Sequence, residues 1–245
     1  MLTLALLYGF AGYAYANPTG GSVVSGHADI TTSGKTVSVT NTPGTIINWQ
    51  GFSIAADELT RFIQQSANSA VLNRVVGQDP SSILGRLQSN GRVFLINSNG
   101  IVFGAGARID VGGLVASSLD LSDADFLAGR MRFAGPASSG ALSQLGSINT
   151  ASGGQVILIA PRVENAGVIS APQGEIVLAA GQSVQLADTA NPALRVTVTA
   201  PAGEVLNLGK LLADGGRIGI HAGLIGQNGT ISADRAELGP AGEVT

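Results

Sequence analysis

The chain has 245 residues, 35 of them glycine; it is 44% hydrophobic and 12% charged, with a formal net charge of −3 and no cysteine. That length buries a sizeable core, and the apolar content excludes a disordered tail, while the missing G-X-Y period excludes collagen. An acidic balance with no Lys/Arg cluster sets aside an electrostatic nucleic-acid binder, and the lack of cysteine sets aside a disulfide scaffold or a thiolate metal site.

Leu2 to Ala16 is an apolar run ending Ala14-Tyr15-Ala16, an A-x-A cleavage pattern followed by Asn17-Pro18. The run is too short to span a bilayer comfortably. No Lys or Arg precedes Lys35, so residues 1–16 read as the remnant of a longer signal peptide, with the mature domain expected over 17–245. Val37-Ser38-Val39 and Ile46-Ile47-Asn48-Trp49 read as strands. Asp57 to Gln65 reads as a helix, although Thr60 and Phe62 serve equally well in a strand. A second helix is predicted after Ser122 as N-cap, with Asp123 and Asp125 in its first turn and Gly129 at its end. The irregular N-terminal third is expected to cap the rest.

The last hundred residues repeat. Gly146-Ser147-Ile148-Asn149 precedes Gly154-Gln155-Val156-Ile157-Leu158-Ile159, and Gly167-Val168-Ile169-Ser170 precedes Gly174-Glu175-Ile176-Val177-Leu178-Ala179. The pattern returns at Gly209-Lys210-Leu211-Leu212 and at Gly229-Thr230-Ile231-Ser232, so the steps from Ile148 are 21, 42 and 20 residues. A period near 20 implies a solenoid. Short β-branched tracts bounded by glycine, without an L-x-x-L-x-L pattern, make its units strands. The predicted fold is all-β: a right-handed, single-stranded parallel β-helix of roughly ten rungs about 4.8 Å apart. Glycine is expected where the chain turns corners with positive φ. The double step holds residues 183–208, where Arg195-Val196-Thr197-Val198-Thr199 alternates, and reads as a β-hairpin protruding from the helix. Matching the two long tracts places Val156, Leu158, Ile176 and Leu178 inside, with Ile157 and Val177 pointing out.

Several segments agree in order and wording with a known family. They are Asn17-Pro18-Thr19-Gly20-Gly21, Ile46-Ile47-Asn48-Trp49-Gln50-Gly51-Phe52-Ser53-Ile54, Ala70-Val71-Leu72-Asn73-Arg74-Val75 and Ile83-Leu84-Gly85. The set continues with Gly91 to Gly104, Gly112 to Ser117 and Asp125 to Gly129. Residues 17 to about 187 thus resemble the secretion domain of two-partner-secretion exoproteins, the haemagglutination-activity domain of filamentous haemagglutinin-like proteins. The family usually carries Asn-Pro-Asn-Gly where this chain has Asn97-Ser98-Asn99-Gly100, so a similar but less rigid turn is expected.

The resemblance implies a secreted or cell-surface protein that crosses the inner membrane by the general secretory machinery. It then meets the POTRA domains of a dedicated outer-membrane transporter and folds outside as a monomeric β-helix. It implies host-cell or glycan binding only through the full-length protein, and no cofactor. Asn97, Ser98, Asn99 and Gly100 are the candidate recognition motif, against the plainer reading of a β-turn. Asn48, Trp49 and Phe52 are candidates for the same role, against core and cap packing.

Other residues have bland readings. Asp120, Asp123 and Asp125 suggest calcium less than a helix start, because no EF-hand spacing follows. Asp214-Gly215-Gly216 reads as a corner turn, and His27 and His221 as surface or turn residues. No G-x-S-x-G, P-loop or full G-x-G-x-x-G is present. Two alternatives remain: a directly host- or carbohydrate-binding module, and a polysaccharide-degrading β-helix enzyme, whose clustered carboxylates are missing.

Overall fold

The computed structural model describes residues 17–187, 195–199 and 203–234. The chain winds into a parallel β-helix with three faces, each a stack of strands paired in register with the rung before. One rung runs Ser147–Thr150 on the first face, Gln155–Ala160 on the second and Arg162–Asn165 on the third. The next runs Val168–Ser170 and Glu175–Ala180 before returning at Glu204–Asn207. Val156 lies over Ile176 and Leu158 over Leu178, as the sequence match requires. Six rungs with a strand on every face lie between Leu59 and Gln227, after a first turn whose third face is the single bridge of Ile54 to Ile83; this is fewer than the roughly ten expected, because two excursions consume chain without adding rungs.

Inward residues form one continuous core of stacked Val, Leu, Ile and Phe, including Val156, Leu158, Ile176 and Leu178. A polar ladder runs beside it at the end of the third face. Asn165 Nδ2 donates to Asn207 Oδ1 at 2.7 Å, and Asn207 Nδ2 to Gln227 Oε1 at 2.8 Å. In-register stacking thereby pairs amide groups that burial would otherwise penalise, leaving Asn165 Oδ1 buried without a partner.

The periodic glycines serve a purpose other than the one expected. Gly146, Gly167, Gly209 and Gly229 do not have positive φ. A Cβ on Gly167 would lie 2.2 Å from the Gly146 carbonyl oxygen, and one on Gly209 would lie 2.0 Å from that of Gly167. Rung stacking brings backbone onto backbone at this corner, and only a residue without a side chain fits. Positive φ is confined to turns such as those at Gly100, Gly153 and Gly215.

The N-terminal cap is shorter than expected, since regular coil begins at Thr36. Ser22–Ser25 pairs antiparallel with Thr45–Trp49, and Ala28–Ser33 antiparallel with Thr36–Asn41, so the N-terminal edges of the second and first faces are covered. The helix expected over Asp57–Gln65 is instead a strand, Leu59–Gln64, on the first face. Phe62 and Gln64 are buried while Arg61 and Ile63 are exposed, so period-two burial against the rungs decides the segment.

The two excursions both leave after a second-face strand and return on the third face. The first holds Asp120–Leu121, a helix at Asp123–Leu127 and Met131–Ala134. The helix is capped as predicted, Ser122 Oγ accepting from Asp125 N at 3.1 Å and Gly129 having φ +69°. The second excursion is the expected hairpin, Ser183–Ala187 antiparallel to Arg195–Thr199; its tip at 188–194 lies outside the described residues. It does not stand alone: all four strands join in one antiparallel sheet against the outer side of the second face. Between them is a second core in which Ile157, Ile159 and Val177 meet Leu121, Phe133, Val184 and Leu186. Ile157 and Val177 therefore point away from the coil, as read, but are buried rather than exposed.

Candidate functional site

The expected recognition residues gather along one corner, where the second face turns into the third, in the first and third turns of the coil. Asn97–Gly100 follows the strand Arg92–Ile96. Asn97 is 0% exposed. Its Nδ2 donates to the Asp79 carbonyl and to Ser81 Oγ, both at 3.0 Å. Its Oδ1 accepts from Asn99 N at 3.0 Å, an Asx turn, and from Asn99 Nδ2 at 3.1 Å. Asn99 Nδ2 also donates to the Gly77 carbonyl at 3.0 Å. On the other side, Gly140 N donates to the Ser98 carbonyl at 2.8 Å. Gly100 has φ +106°, and a Cβ there would lie 2.9 Å from the Ala141 carbonyl oxygen. The turn thus rivets three rungs together. Only Ser98 and Asn99 reach the surface; the usual proline position is taken by the exposed Ser98.

Two rungs earlier, Trp49 and Phe52 fill the first turn of the coil. Trp49 meets Phe52 edge to face at 5.8 Å, and Phe52 stacks on Phe62 at 6.4 Å. Trp49 Nε1 donates to the buried Asn73 Oδ1 at 3.0 Å, and Asn73 Nδ2 donates to the Phe94 carbonyl at 3.2 Å. Asn48 is half-buried, and its Oδ1 is buried without a hydrogen-bond partner. The loop at 76–81 lies between these aromatics and the Asn97 turn: Val76 N donates to the Trp49 carbonyl at 2.8 Å, and Ser81 N to the Gly100 carbonyl at 3.0 Å. Nothing in the sequence flagged this loop, whose Gly77 sits so that a Cβ would fall 1.9 Å from the Gln50 carbonyl oxygen.

Arg74 ties the first excursion to the coil. Its Nε meets Asp120 Oδ1 at 3.1 Å, its Nη1 meets Asp123 Oδ1 at 2.6 Å, and its Nη2 donates to the Leu121 carbonyl at 2.5 Å. Asp125 pairs with Arg130 at 2.6 Å, and that hydrogen bond holds its carboxyl below the usual range. The three aspartates that faintly suggested calcium are thus engaged by arginines. His27 is exposed, near Asp29; His221 lies in the strand Arg217–His221, half-buried, and desolvation lowers its pKa. Asp214–Gly216 is a turn, with Gly215 at φ +69°.

The molecule these features define is a capped parallel β-helix whose shared motifs are directed inward, into rung stacking. The TPS secretion domain family matches residues 14–239, and the chain belongs to that family. It is similar to the heme/hemopexin-binding protein of Haemophilus influenzae strain Rd, at 40% identity over 126 residues, and to a second heme/hemopexin-binding protein of that species, at 34% over 127. Each match covers 49% of this chain but 14% of the relative, so the chain corresponds to a small part of those proteins. The crystal structure of the HMW1 secretion domain from Haemophilus influenzae superposes with a TM-score of 0.85 at 38% identity, covering 91% of this chain and 60% of that one. This is a secretion domain of a two-partner-secretion exoprotein, a class exported through a cognate outer-membrane transporter.

Proposed function

We propose that the transporter's POTRA domains receive this segment in the periplasm, before it folds, and that Asn97, Ser98, Asn99, Gly100, Asn48, Trp49 and Phe52 belong to what they read. On this reading residues 1–16 are the end of a signal peptide for the general secretory route, and 17–245 form the secretion domain, with 183–208 as an insertion. One observation carries it: Asn97, Trp49 and Phe52 are at most 1% exposed in the folded coil. Side chains so enclosed are open to a partner only in the unfolded chain. Folding outside then follows from the architecture, because each rung can template the next as it emerges. Host-cell or glycan binding, on this reading, belongs to the full-length protein.

The test is replacement of Asn97 and Asn99 together by Ala, followed through export beside the cognate transporter. Reduced export with accumulation in the periplasm, from a variant that still refolds after purification, is the expected result. Undiminished export removes the turn from recognition. A variant that cannot refold leaves the turn with rung stacking alone. A pull-down with the POTRA region adds a second readout, in which freshly diluted denatured chain should bind and refolded chain should not.

A further inference from the structure

The two excursions and the second face border a partly open cavity of about 380 Å³ at the end of the second core, within the usual size range of small-molecule sites, roughly 300–1,000 Å³. Its floor is Ala70 and Phe94 on the coil; Phe126, Met131 and Leu186 close it from the excursion side. Two arginines line it beside these apolar side chains: Arg130, which is paired with Asp125, and Arg92, which enters from the floor. Arg92 sits in register between Ala70 and Gly113 of the adjacent rungs, so its neighbours along the stack are small. A Cβ on Gly113 would come within 3.2 Å of the Arg92 stem.

Arg92 Nε is buried and has no hydrogen-bond partner, and the guanidinium makes no ion pair among the described residues. The carboxylates that the first excursion carries to this side are already engaged: Asp120 and Asp123 by Arg74, and Asp125 by Arg130. A half-buried cation without a counterion is an unfavourable arrangement for a folded protein to keep. A bidentate oxyanion is the group a planar guanidinium matches best, and the surrounding Phe, Met and Leu side chains favour an aliphatic body.

We propose that this cavity is a binding site for a small amphiphilic carboxylate, an aliphatic chain with a single anionic head, the head on Arg92 and the chain against Phe94, Phe126 and Met131. The site is independent of transporter recognition, since none of these residues lies in the Asn97 turn or the aromatic plug. Decanoate is the simplest probe. The excursion supplies its own reporter, because the chain has only two methionines, Met1 and Met131.

The experiment titrates decanoate, below its micelle concentration, into the purified full chain carrying 13C-methyl methionine. The expected result is saturable heat at about one ligand per chain, with a shift of the Met131 methyl that saturates in parallel. Arg92→Met should weaken binding by about tenfold or more, and decanol, lacking the charge, should bind wild type weaker by a similar factor. If Arg92→Met does not fold, Ala70→Leu fills the floor while keeping the guanidinium and should also abolish binding. No saturable binding, equal affinity in Arg92→Met, or heat without a Met131 shift would each overturn the proposal.

Discussion

Ile157→Ala tests whether the excursions are part of the folding unit or decoration on it. Ile157 points away from the coil, yet is fully buried beneath the four-stranded sheet. The substitution removes three carbons; at about 0.8 kcal/mol per buried methylene that is ~2.4 kcal/mol of transfer free energy. The cavity left behind adds to it, since neighbouring rungs are held in register and cannot collapse freely, placing the loss at about 3 kcal/mol. In a domain of this size each kcal/mol lowers Tm by roughly 2–4 °C, so a fall of ~6–12 °C is expected. Leu158→Ala, which deletes as many carbons from the inner core, should cost about the same. Ile63→Ala, at a position 45% exposed on the first face, should stay within about 0.5 kcal/mol of wild type. Melting followed by far-UV circular dichroism, with urea titrations beside it, reads all three. If Ile157→Ala behaves like Ile63→Ala, the second core contributes nothing and the excursions are dispensable. By the same reasoning Ile157→Asp and Val177→Asp should disrupt the domain as Leu158→Asp does, because each buries an unpaired carboxylate.

Gly167→Ala should destabilise by about 1–3 kcal/mol or more, because the new methyl meets a backbone carbonyl of the rung before. Gly153→Asn, at a positive-φ turn with nothing within 4 Å of the added Cβ, should cost less than about 1 kcal/mol; equal urea midpoints for the two variants would refute the close-approach account. Trp49→Phe leaves Asn73 Oδ1 buried without its donor and should cost about 1–3 kcal/mol, read as a shift in urea midpoint; no shift would mean the ring nitrogen is dispensable. Asp125 has its pKa lowered in the fold, first by the hydrogen bond from Arg130. Its stabilising contribution is therefore full above the unfolded value, near 3.8, and is lost as pH falls through the lowered folded value. The melting difference between wild type and Asp125→Asn should be constant above about pH 5 and shrink below pH 4; a difference independent of pH would remove that pair from the stability of the excursion.

The coil was legible because its rungs repeat locally. Val156 over Ile176 and Leu158 over Leu178 needed only two glycine-anchored tracts laid side by side. What covers the outer side of those strands has only one sign in the sequence. Val156-Ile157-Leu158-Ile159-Ala160 is apolar at every position, and a strand that is apolar on both sides is covered on both sides. The cover comes from residues 119–134 and 183–186, which no local period connects to it. At Asp57–Gln65 the ambiguity was genuine, since Leu59, Phe62 and Ile63 satisfy a helical stripe, and only stacking onto Thr36–Asn41 makes period two win. The glycines stand out in the sequence by their period, but their cause does not, because a carbonyl one rung away leaves no trace in the sequence around Gly167.

The Asn97 turn shows the same division within the candidate site. Its Asx chemistry is local and can be read from Asn97-Ser98-Asn99-Gly100. Its partners at Gly77, Asp79, Ser81 and Gly140 come together only when three rungs stack. The residues that carry the family resemblance are thus largely those that close rungs on one another. A substitution there changes folding and, on the proposed reading, recognition of the unfolded chain at once. Refolding of the purified variant separates the two, because rung stacking governs it in the absence of any transporter, whereas binding by denatured chain depends on the side chains alone.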